Sequence, residues 1–319
     1  MLGSLEFIYL EVMKIIKRIM LLLLIIVIIA AAYFGIRFYS NNMETKTMNA
    51  EARKNISGQF IQLTGGITHY QSGGPDTGKA VILVHGFSVP YYIWDGPYDS
   101  LVNHGFHVIR YDEFGRGYSD RPSVKYDALL YRTQLADLID SLHLNTPVSL
   151  MGVSFGGPVV TDFAAHYPER VDKIILSDPL YRMENLTGSE FLANYKLALD
   201  HEKQATGQLD DFKYPEHFPD WVARYKVQMQ YKGFRHALIS TRKYFFADSI
   251  IADYQQLGKL NKKVLLIWGK DDHTVPFNYS DSVSKLVAND FFPVDDAAHL
   301  PYLEQPTLVD AKIISFLRE

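Results

Sequence analysis

An unbroken apolar run over residues 19–36 is the strongest hydrophobic pattern in the chain. A basic cluster, Lys14, Lys17 and Arg18, precedes it. About 18 apolar residues are the minimum that crosses a bilayer as a helix, whereas a buried core helix would carry polar positions every few residues. The pattern therefore predicts an N-terminal membrane anchor, residues 1–38, whose transmembrane helix spans about 19–36. The basic cluster favours a C-terminal domain on the extracytoplasmic side, although further basic residues beyond the run weaken that bias.

Two other interpretations of the N-terminus stay open. Ala30, Ala31 and Ala32 could supply the cleavage site of a signal peptide, which would release a secreted or periplasmic protein. The apolar run continues past that site to Tyr33 and beyond, which favours an uncleaved anchor. Met13 could be the true start, because it opens a segment typical of a bacterial signal-anchor.

From residue 58 onward, short apolar segments alternate with helical ones, after a polar stretch that predicts a linker at 39–57. Apolar segments on both sides of Gly65 and Gly66 predict an antiparallel hairpin, and the continuous apolar runs that follow are typical of buried parallel strands. The predicted strands are 60–63, 67–70, 81–84, 106–111, 148–151, 173–177, 264–268 and 291–294. The predicted helices are 126–142, 158–167, 276–287 and 308–317. This alternation predicts an α/β domain at 58–319 with a mostly parallel, doubly wound sheet of about eight strands.

Composition narrows the possible functions. The chain has 319 residues, of which 47% are hydrophobic and 21% charged, as is typical of a folded protein. Its formal net charge of −4 gives no basic surplus, so nucleic acid is not an expected partner. It has no cysteine, which excludes disulfides, thiolate zinc sites and a cysteine nucleophile.

Ser154 stands at the centre of the most informative motif. It follows the predicted strand 148–151, and Pro158 opens a helical pattern after it. A sharp strand-to-helix turn would expose the serine hydroxyl and aim the N-terminus of the helix at a developing negative charge. Bulk at Gly152 or Gly156 would clash with the neighbouring strand and helix, so the turn requires glycine at both positions.

These residues resemble the G-x-S-x-G elbow of the α/β-hydrolase superfamily, and the resemblance extends over residues 59–319. The superfamily also has a His-Gly-x segment after an earlier strand, which is matched here by His85, Gly86 and Phe87. The resemblance implies that the main-chain N–H groups of Phe87 and Phe155 bind the oxyanion, while His85 is structural.

A glycine-rich loop, residues 112–119, matches the D-x-x-G-x-G-x-S form that the superfamily carries after its fourth strand. Asp112 and Arg116 in this loop could suggest catalysis. We expect them instead to hold the turn together through side-chain hydrogen bonds.

Two later loops supply the candidate acid and base. Residues 269–276 resemble the superfamily turn of G-x-x-D-x-x-x-P form, which selects Asp272 as the catalytic acid, with Asp271 and then Asp178 as alternatives. Residues after 295 resemble its histidine loop, which selects His299 as the general base. The order Ser154, Asp272, His299 is the order of the superfamily.

The alternation of strands and helices breaks once, over residues 180–254, where the superfamily commonly inserts a helical lid. Most aromatic residues there are expected to form the lid's own core, and together they would place an apolar wall over the active site. The aromatic residues are Phe191, Tyr195, Phe212, Tyr214, Phe218, Trp221, Tyr225, Tyr231, Phe234, Tyr244, Phe245 and Phe246.

The resemblance implies a serine hydrolase that forms an acyl-enzyme and needs no metal or organic cofactor. The anchor and the aromatic lid favour a small-molecule substrate, an apolar carboxylic ester such as an acylglycerol, while the oligomeric state is left open. A hydrolase of carbon–carbon bonds in ring-cleavage products is the main rival, but such enzymes typically carry Asn and Trp where this chain has Val153 and Leu300. Peptidase or haloperoxidase-like activity, or a silent binding protein, are further alternatives. A silent protein would show a damaged triad or a blocked oxyanion loop, and the sequence shows neither.

Overall fold

One sheet organises the domain. The computed structural model describes residues 2–144, 147–183, 185–247 and 250–319. Eight strands within this part of the chain form the sheet in the order β1-β2-β4-β3-β5-β6-β7-β8. The strands are β1 (Gln59–Leu63), β2 (Gly66–Gly73), β3 (Ala80–Val84), β4 (His107–Tyr111), β5 (Val148–Val153), β6 (Val171–Ser177), β7 (Lys263–Gly269) and β8 (Asp290–Val294). Each corresponds to a strand predicted from the sequence, which confirms the α/β fold class.

The two ends of the sheet differ in strand direction. β1 and β2 form the predicted antiparallel hairpin, and β2 also pairs with β4 in the antiparallel sense. β4, β3, β5, β6, β7 and β8 then run parallel to one another. Strands β3 and β5 are buried along their whole length, as continuous apolar runs predict. The carboxyl ends of the parallel strands therefore meet at one edge, where loops can bring distant residues together.

The described part of the chain contains thirteen α-helices, some of which cover the two faces of this sheet. They are α1 (Leu2–Asn41), α2 (Ala50–Arg53), α3 (Asp95–Asn103), α4 (Ala128–Ser141), α5 (Gly156–His166), α6 (Glu190–Leu199), α7 (His201–Thr206), α8 (Trp221–Met229), α9 (Phe234–Tyr244), α10 (Ile250–Lys259), α11 (Tyr279–Leu286), α12 (Pro301–Glu304) and α13 (Pro306–Arg318). Leu135 of α4, Phe163 of α5 and Tyr254 of α10 enter one core cluster. Leu101 of α3 and Phe316 of α13 enter the cluster on the opposite face.

Helix α3 does not appear among the helices predicted from the sequence. Its first turn contains Gly96 and Pro97, which lower helix propensity inside a helix. Proline is tolerated in a first turn, because its missing N–H has no intrahelical partner there. Burial of Tyr98 and Leu101 against the sheet then stabilises the helix.

The N-terminal helix α1 is longer than the apolar run alone predicts. Its segment Glu6–Asn41 is long and apolar enough to cross a membrane, and its apolar side chains are exposed. The stretch predicted as a linker, residues 39–57, makes hydrogen bonds with the inserted segment. Glu44 accepts hydrogen bonds from the main-chain N–H groups of Gly233 and Arg235, at 3.0 and 2.7 Å. Glu44 therefore ties the segment that follows α1 to the start of helix α9.

Candidate active site

Ser154 occupies the turn between β5 and α5 in a left-handed backbone conformation, with φ of 52°. Its main-chain N–H donates to the carbonyl of Ser177 at 3.1 Å. A Cβ at Gly156 would lie 2.3 Å from the carbonyl oxygen of Val84, and one at Gly152 would lie 2.4 Å from the carbonyl oxygen of Gly156. Both positions therefore require glycine. The turn has the strain and the close packing that the elbow sequence predicts.

Asp272 and His299 come together from two different loops. The imidazole Nδ1 of His299 donates to Asp272 Oδ2 at 2.8 Å. Asp272 Oδ1 accepts from the main-chain N–H groups of Thr274 and Val275, at 2.8 and 2.9 Å. Because Nδ1 holds the donated proton, Nε2 of the neutral ring is free to accept another. The structure thus pairs the predicted acid with the predicted base, while the partnership of His299 with Ser154 stays a prediction.

Electrostatics make His299 a stronger base than an ordinary imidazole. Burial alone lowers its pKa, but the charge and hydrogen bond of Asp272 outweigh this effect and raise the pKa to about 10. The nearby Asp211 and Asp178 make smaller contributions to this raised value. Only the neutral imidazole can act as a general base. The raised pKa therefore moves the pH at which His299 becomes active to a higher value.

Asp178 is a third acidic residue at this site. It directly follows β6, and its ligand atom lies within 4.8 Å of those of Asp272 and His299, a group that could in principle hold a metal ion. Asp178 Oδ1 accepts from Gly269 N at 2.8 Å, and its Oδ2 accepts from the hydroxyl of Ser177 at 2.9 Å. Burial and the nearby charge of Asp272 raise the pKa of Asp178 well above its ordinary value. Hydrogen bonds within the protein therefore hold the side chains of Asp178, Asp272 and His299 in these positions.

Ser154 opens onto a cleft of about 920 Å³ between the sheet edge and the inserted segment. Apolar side chains form most of its wall, and four ionisable residues lie among them. The lining residues are Gly86, Phe87, Ser88, Val89, Ile93, Ser154, Leu180, Met183, Gly207, Gln208, Leu209, Asp210, Asp211, Phe212, Lys213, Pro215, His273, Thr274 and Val275. The predicted nucleophile and one predicted oxyanion residue, Phe87, therefore share one cavity.

Comparison with known proteins agrees with this geometry. Residues 79–306 match the family described as the alpha/beta hydrolase fold. The chain belongs to the alpha/beta hydrolase family. It is 28% identical over 236 residues to 2-hydroxy-6-oxo-2,4-heptadienoate hydrolase from Pseudomonas putida, covering 70% of this chain and 83% of that protein.

One further sequence relative and one solved structure are similar to the chain to different extents. An uncharacterized protein of Mycobacterium tuberculosis is 32% identical over 133 residues, and this match covers 39% of the chain but only 38% of that protein's length. A thermophilic esterase from Thermogutta terrifontis superposes with a TM-score of 0.68 at 22% identity, covering 82% of this chain and 98% of the esterase. At that identity the likeness shows the fold alone.

Two buried side chains, His85 and Asp112, support the site from loops next to the cleft without lining it themselves. His85 is fully buried; its Nε2 accepts from Glu113 N at 2.9 Å, and its Nδ1 donates to the carbonyl of Gly86 at 2.7 Å. Asp112 accepts from the N–H groups of Tyr91 and Tyr118, at 2.8 and 2.9 Å. The structure thus gives His85 and Asp112 the structural contacts expected from the sequence.

Arg116 lies directly behind the predicted oxyanion residues. Its Nε donates to the carbonyl of Phe87 at 2.9 Å, and its Nη2 donates to the hydroxyl of Thr241 at 3.0 Å. The guanidinium also lies 5.4 Å from the ring centre of Phe87 and 5.9 Å from that of Phe155. Arg116 therefore connects the glycine-rich loop, the oxyanion loop and helix α9.

The inserted segment is fastened to the catalytic loops by residues that no motif identified. The carbonyl of Asp211 accepts from His299 N at 3.0 Å. Lys213 Nζ donates to Asp271 Oδ2 at 2.7 Å and to Asp296 Oδ1 at 2.6 Å. Asp271, the alternative acid, is thus engaged at the surface and not with the imidazole. The direct contact of Lys213 with both loops forms a latch, which we name the Lys213 latch.

Proposed function

We propose that the protein is a membrane-anchored serine hydrolase that cleaves carboxylic esters of apolar, lipid-like substrates. Ser154 Oγ attacks the ester carbonyl while His299 takes its proton, and the N–H groups of Phe87 and Phe155 stabilise the oxyanion. Asp272 orients the imidazole and stabilises the imidazolium. His299 then returns the proton to the departing alcohol, and water hydrolyses the acyl-enzyme by the same route.

The lining of the cleft is the observation that carries the ester proposal. Among the described lining residues there is no arginine, and Lys213 is already neutralised by Asp271 and Asp296. Asp210 and Asp211 add negative charge to the same wall. An anionic substrate would lose its hydration there without gaining a cation, whereas a neutral apolar ester would not.

Hydrolysis of a carbon–carbon bond is the second candidate. The similarity to the 2-hydroxy-6-oxo-2,4-heptadienoate hydrolase of Pseudomonas putida supports it. Such a substrate is a carboxylate, however, and the described lining residues offer it no arginine and no unpaired lysine. Val153 and Leu300 also depart from the residues typical of these enzymes. We therefore favour the ester.

The anchor motivates the lipid-like substrate and the proposed location. Helix α1 would hold the domain, residues 58–319, at the membrane, with the basic cluster before the apolar run on the cytoplasmic side. The catalytic domain would then lie on the extracytoplasmic side, and cleavage of the anchor would instead release it.

The test is hydrolysis of p-nitrophenyl esters, from acetate to palmitate, by the full chain in detergent micelles. The 2-hydroxy-6-oxo-dienoate substrate of the rival reaction is assayed in parallel, with Ser154→Ala as the control. We expect turnover of the esters, with an optimum at longer acyl chains, and a loss of about five to six orders of magnitude in the variant. Turnover of the dienoate without turnover of any ester would transfer the assignment to the carbon–carbon hydrolase.

A further inference from the structure

The inserted helix α6 exposes two large apolar side chains beside the membrane helix. Phe191 is 75% exposed and Leu192 is 63% exposed. Both lie in the first turn of α6, and Tyr195 follows them by four and three residues, so that the three side chains share one face of the helix. Within the described part of the protein, Phe191 and Leu192 are therefore the largely uncovered part of this face.

The same face of α6 packs against α1. The ring of Tyr195 lies 5.8 Å from that of Phe34 and 6.2 Å from that of Phe38, measured between ring centres. A groove of about 570 Å³ lies between the two helices. Its lining residues are Ala31, Phe34, Gly35, Phe38, Phe191, Leu192, Asn194 and Tyr195. The exposed apolar face is thus continuous with the apolar surface of α1.

The groove reaches into the apolar run of α1. Ala31 lies five residues before Ile36, the last residue of that run, which corresponds to about 7.5 Å along a helix. Interfacial helices bury their apolar faces about 5–10 Å into the boundary between headgroups and acyl chains. When α1 spans a bilayer, this depth places the first turn of α6 at that boundary.

Polar contacts fix α6 in this position relative to α1. Arg235 of α9 donates from Nε to Asn194 Oδ1 at 2.7 Å, and its guanidinium lies 5.4 Å from the ring centre of Phe38. Glu44, which follows α1, accepts from Arg235 N at 2.7 Å. One arginine therefore joins the end of α1 to α6, so the two helices are held as one unit.

We propose that α6 is an interfacial helix whose Phe191 and Leu192 enter the leaflet that the C-terminal end of α1 crosses. The proposal rests on the proposed function only in taking α1 as a membrane anchor. The chain runs from Met183, in the wall of the active-site cleft, to Phe191 at the bilayer. Eight residues span at most about 28 Å, so this wall of the cleft lies within that distance of the membrane contact. We therefore expect its substrates to be esters that partition into the bilayer.

Site-specific labelling tests the contact without any need for turnover. The chain has no cysteine, so Phe191→Cys supplies a single thiol for the environment-sensitive fluorophore NBD in the full protein, reconstituted into phosphatidylcholine vesicles. We expect phosphatidylcholine that carries a doxyl group high on its acyl chain to quench the emission. Leu308→Cys is the matched control, because Leu308 is 51% exposed on α13, which packs on α3 and α12. Equal quenching at both positions, or no quenching at Phe191→Cys, would overturn the proposal.

A second variant tests the consequence for the substrate. In Phe191→Ser/Leu192→Ser, hydrolysis of an ester embedded in vesicles should fall about tenfold, equivalent to about 1.4 kcal/mol. Hydrolysis of soluble p-nitrophenyl acetate should not change, and Leu308→Ser should affect neither substrate. Equal loss on both substrates would mean a structural role and contradict the proposal, as would unchanged vesicle hydrolysis. A wild-type protein that cleaves no ester would refute the proposed function but leave the labelling result decisive for the contact.

Discussion

Glu113 gives a prediction whose magnitude follows from the structure. Its side chain is fully buried, and among the described residues neither carboxylate oxygen has a hydrogen-bond partner. Burial raises its pKa from 4.5 to about 8, despite the opposing charge of Arg116. The unfolded chain therefore releases a proton that the folded protein keeps between these two values, so the free energy of unfolding falls as the pH rises through that window.

The substitution Glu113→Gln removes this proton linkage while keeping the shape of the side chain. Each pKa unit corresponds to about 1.36 kcal/mol, so at pH 7 the variant should be more stable than the wild type by about 3 kcal/mol. At pH 5, only half a unit above the unfolded pKa of 4.5, the same relation leaves a difference of less than about 1 kcal/mol. The measurement is urea unfolding of the full chain in detergent micelles at both pH values.

Glu169→Gln is the matched control, because its side chain is exposed and the same charge is removed there. Its stability should follow that of the wild type at both pH values. A Glu113→Gln variant with the same stability difference at pH 5 and pH 7 would refute the reasoning, because the effect would then not arise from ionisation.

Three further predictions concern the catalytic loops. Asp272→Asn should lower kcat by about 10⁴, as expected for an acid that holds the imidazole tautomer. Asp178→Asn should lower kcat less than about tenfold, because the hydrogen bonds of Asp178 go to Gly269 and Ser177, whereas Asp272 holds the imidazole. Similar losses in both variants would contradict the assignment. The acidic limb of the kcat/KM profile should have its midpoint above 6.5, because nearby carboxylates raise the pKa of His299 and only the neutral ring is a base. A midpoint at or below 6.5 would be inconsistent with that environment. Lys213→Met should open the Lys213 latch and speed amide hydrogen exchange in residues 207–214, and exchange at the wild-type rate would show that other contacts hold this segment.

Most of the sheet could be predicted because its strands leave a direct trace in the sequence. Parallel strands buried on both faces, such as β3 and β5, require continuous apolar runs, which are easily seen. Helix α3 could not be predicted in this way, because tertiary burial stabilises it against the unfavourable propensities of Gly96 and Pro97. The contacts of residues 39–57 could not be predicted from the sequence either. Glu44 accepts a hydrogen bond from a main-chain group that lies far along the chain.

The active site also combines residues that a local sequence pattern reveals with residues that only tertiary contacts bring into place. The glycines around Ser154 and the loops of Asp272 and His299 carry local patterns, so their positions could be inferred from the sequence. Asp211 reaches the imidazole loop from the inserted segment and belongs to no motif. Asp178 was visible at the end of a strand, but its raised pKa arises from burial beside another carboxylate, which only the folded structure shows.

The most direct test of the central claim is whether Ser154 is an activated nucleophile. The full chain would be treated with a fluorophosphonate, and the adduct would be located by mass spectrometry of peptides. The account predicts one adduct, on Ser154, that is absent in Ser154→Ala and forms far more slowly in His299→Ala. An adduct on another residue, or labelling of Ser154 at the same rate without His299, would contradict it.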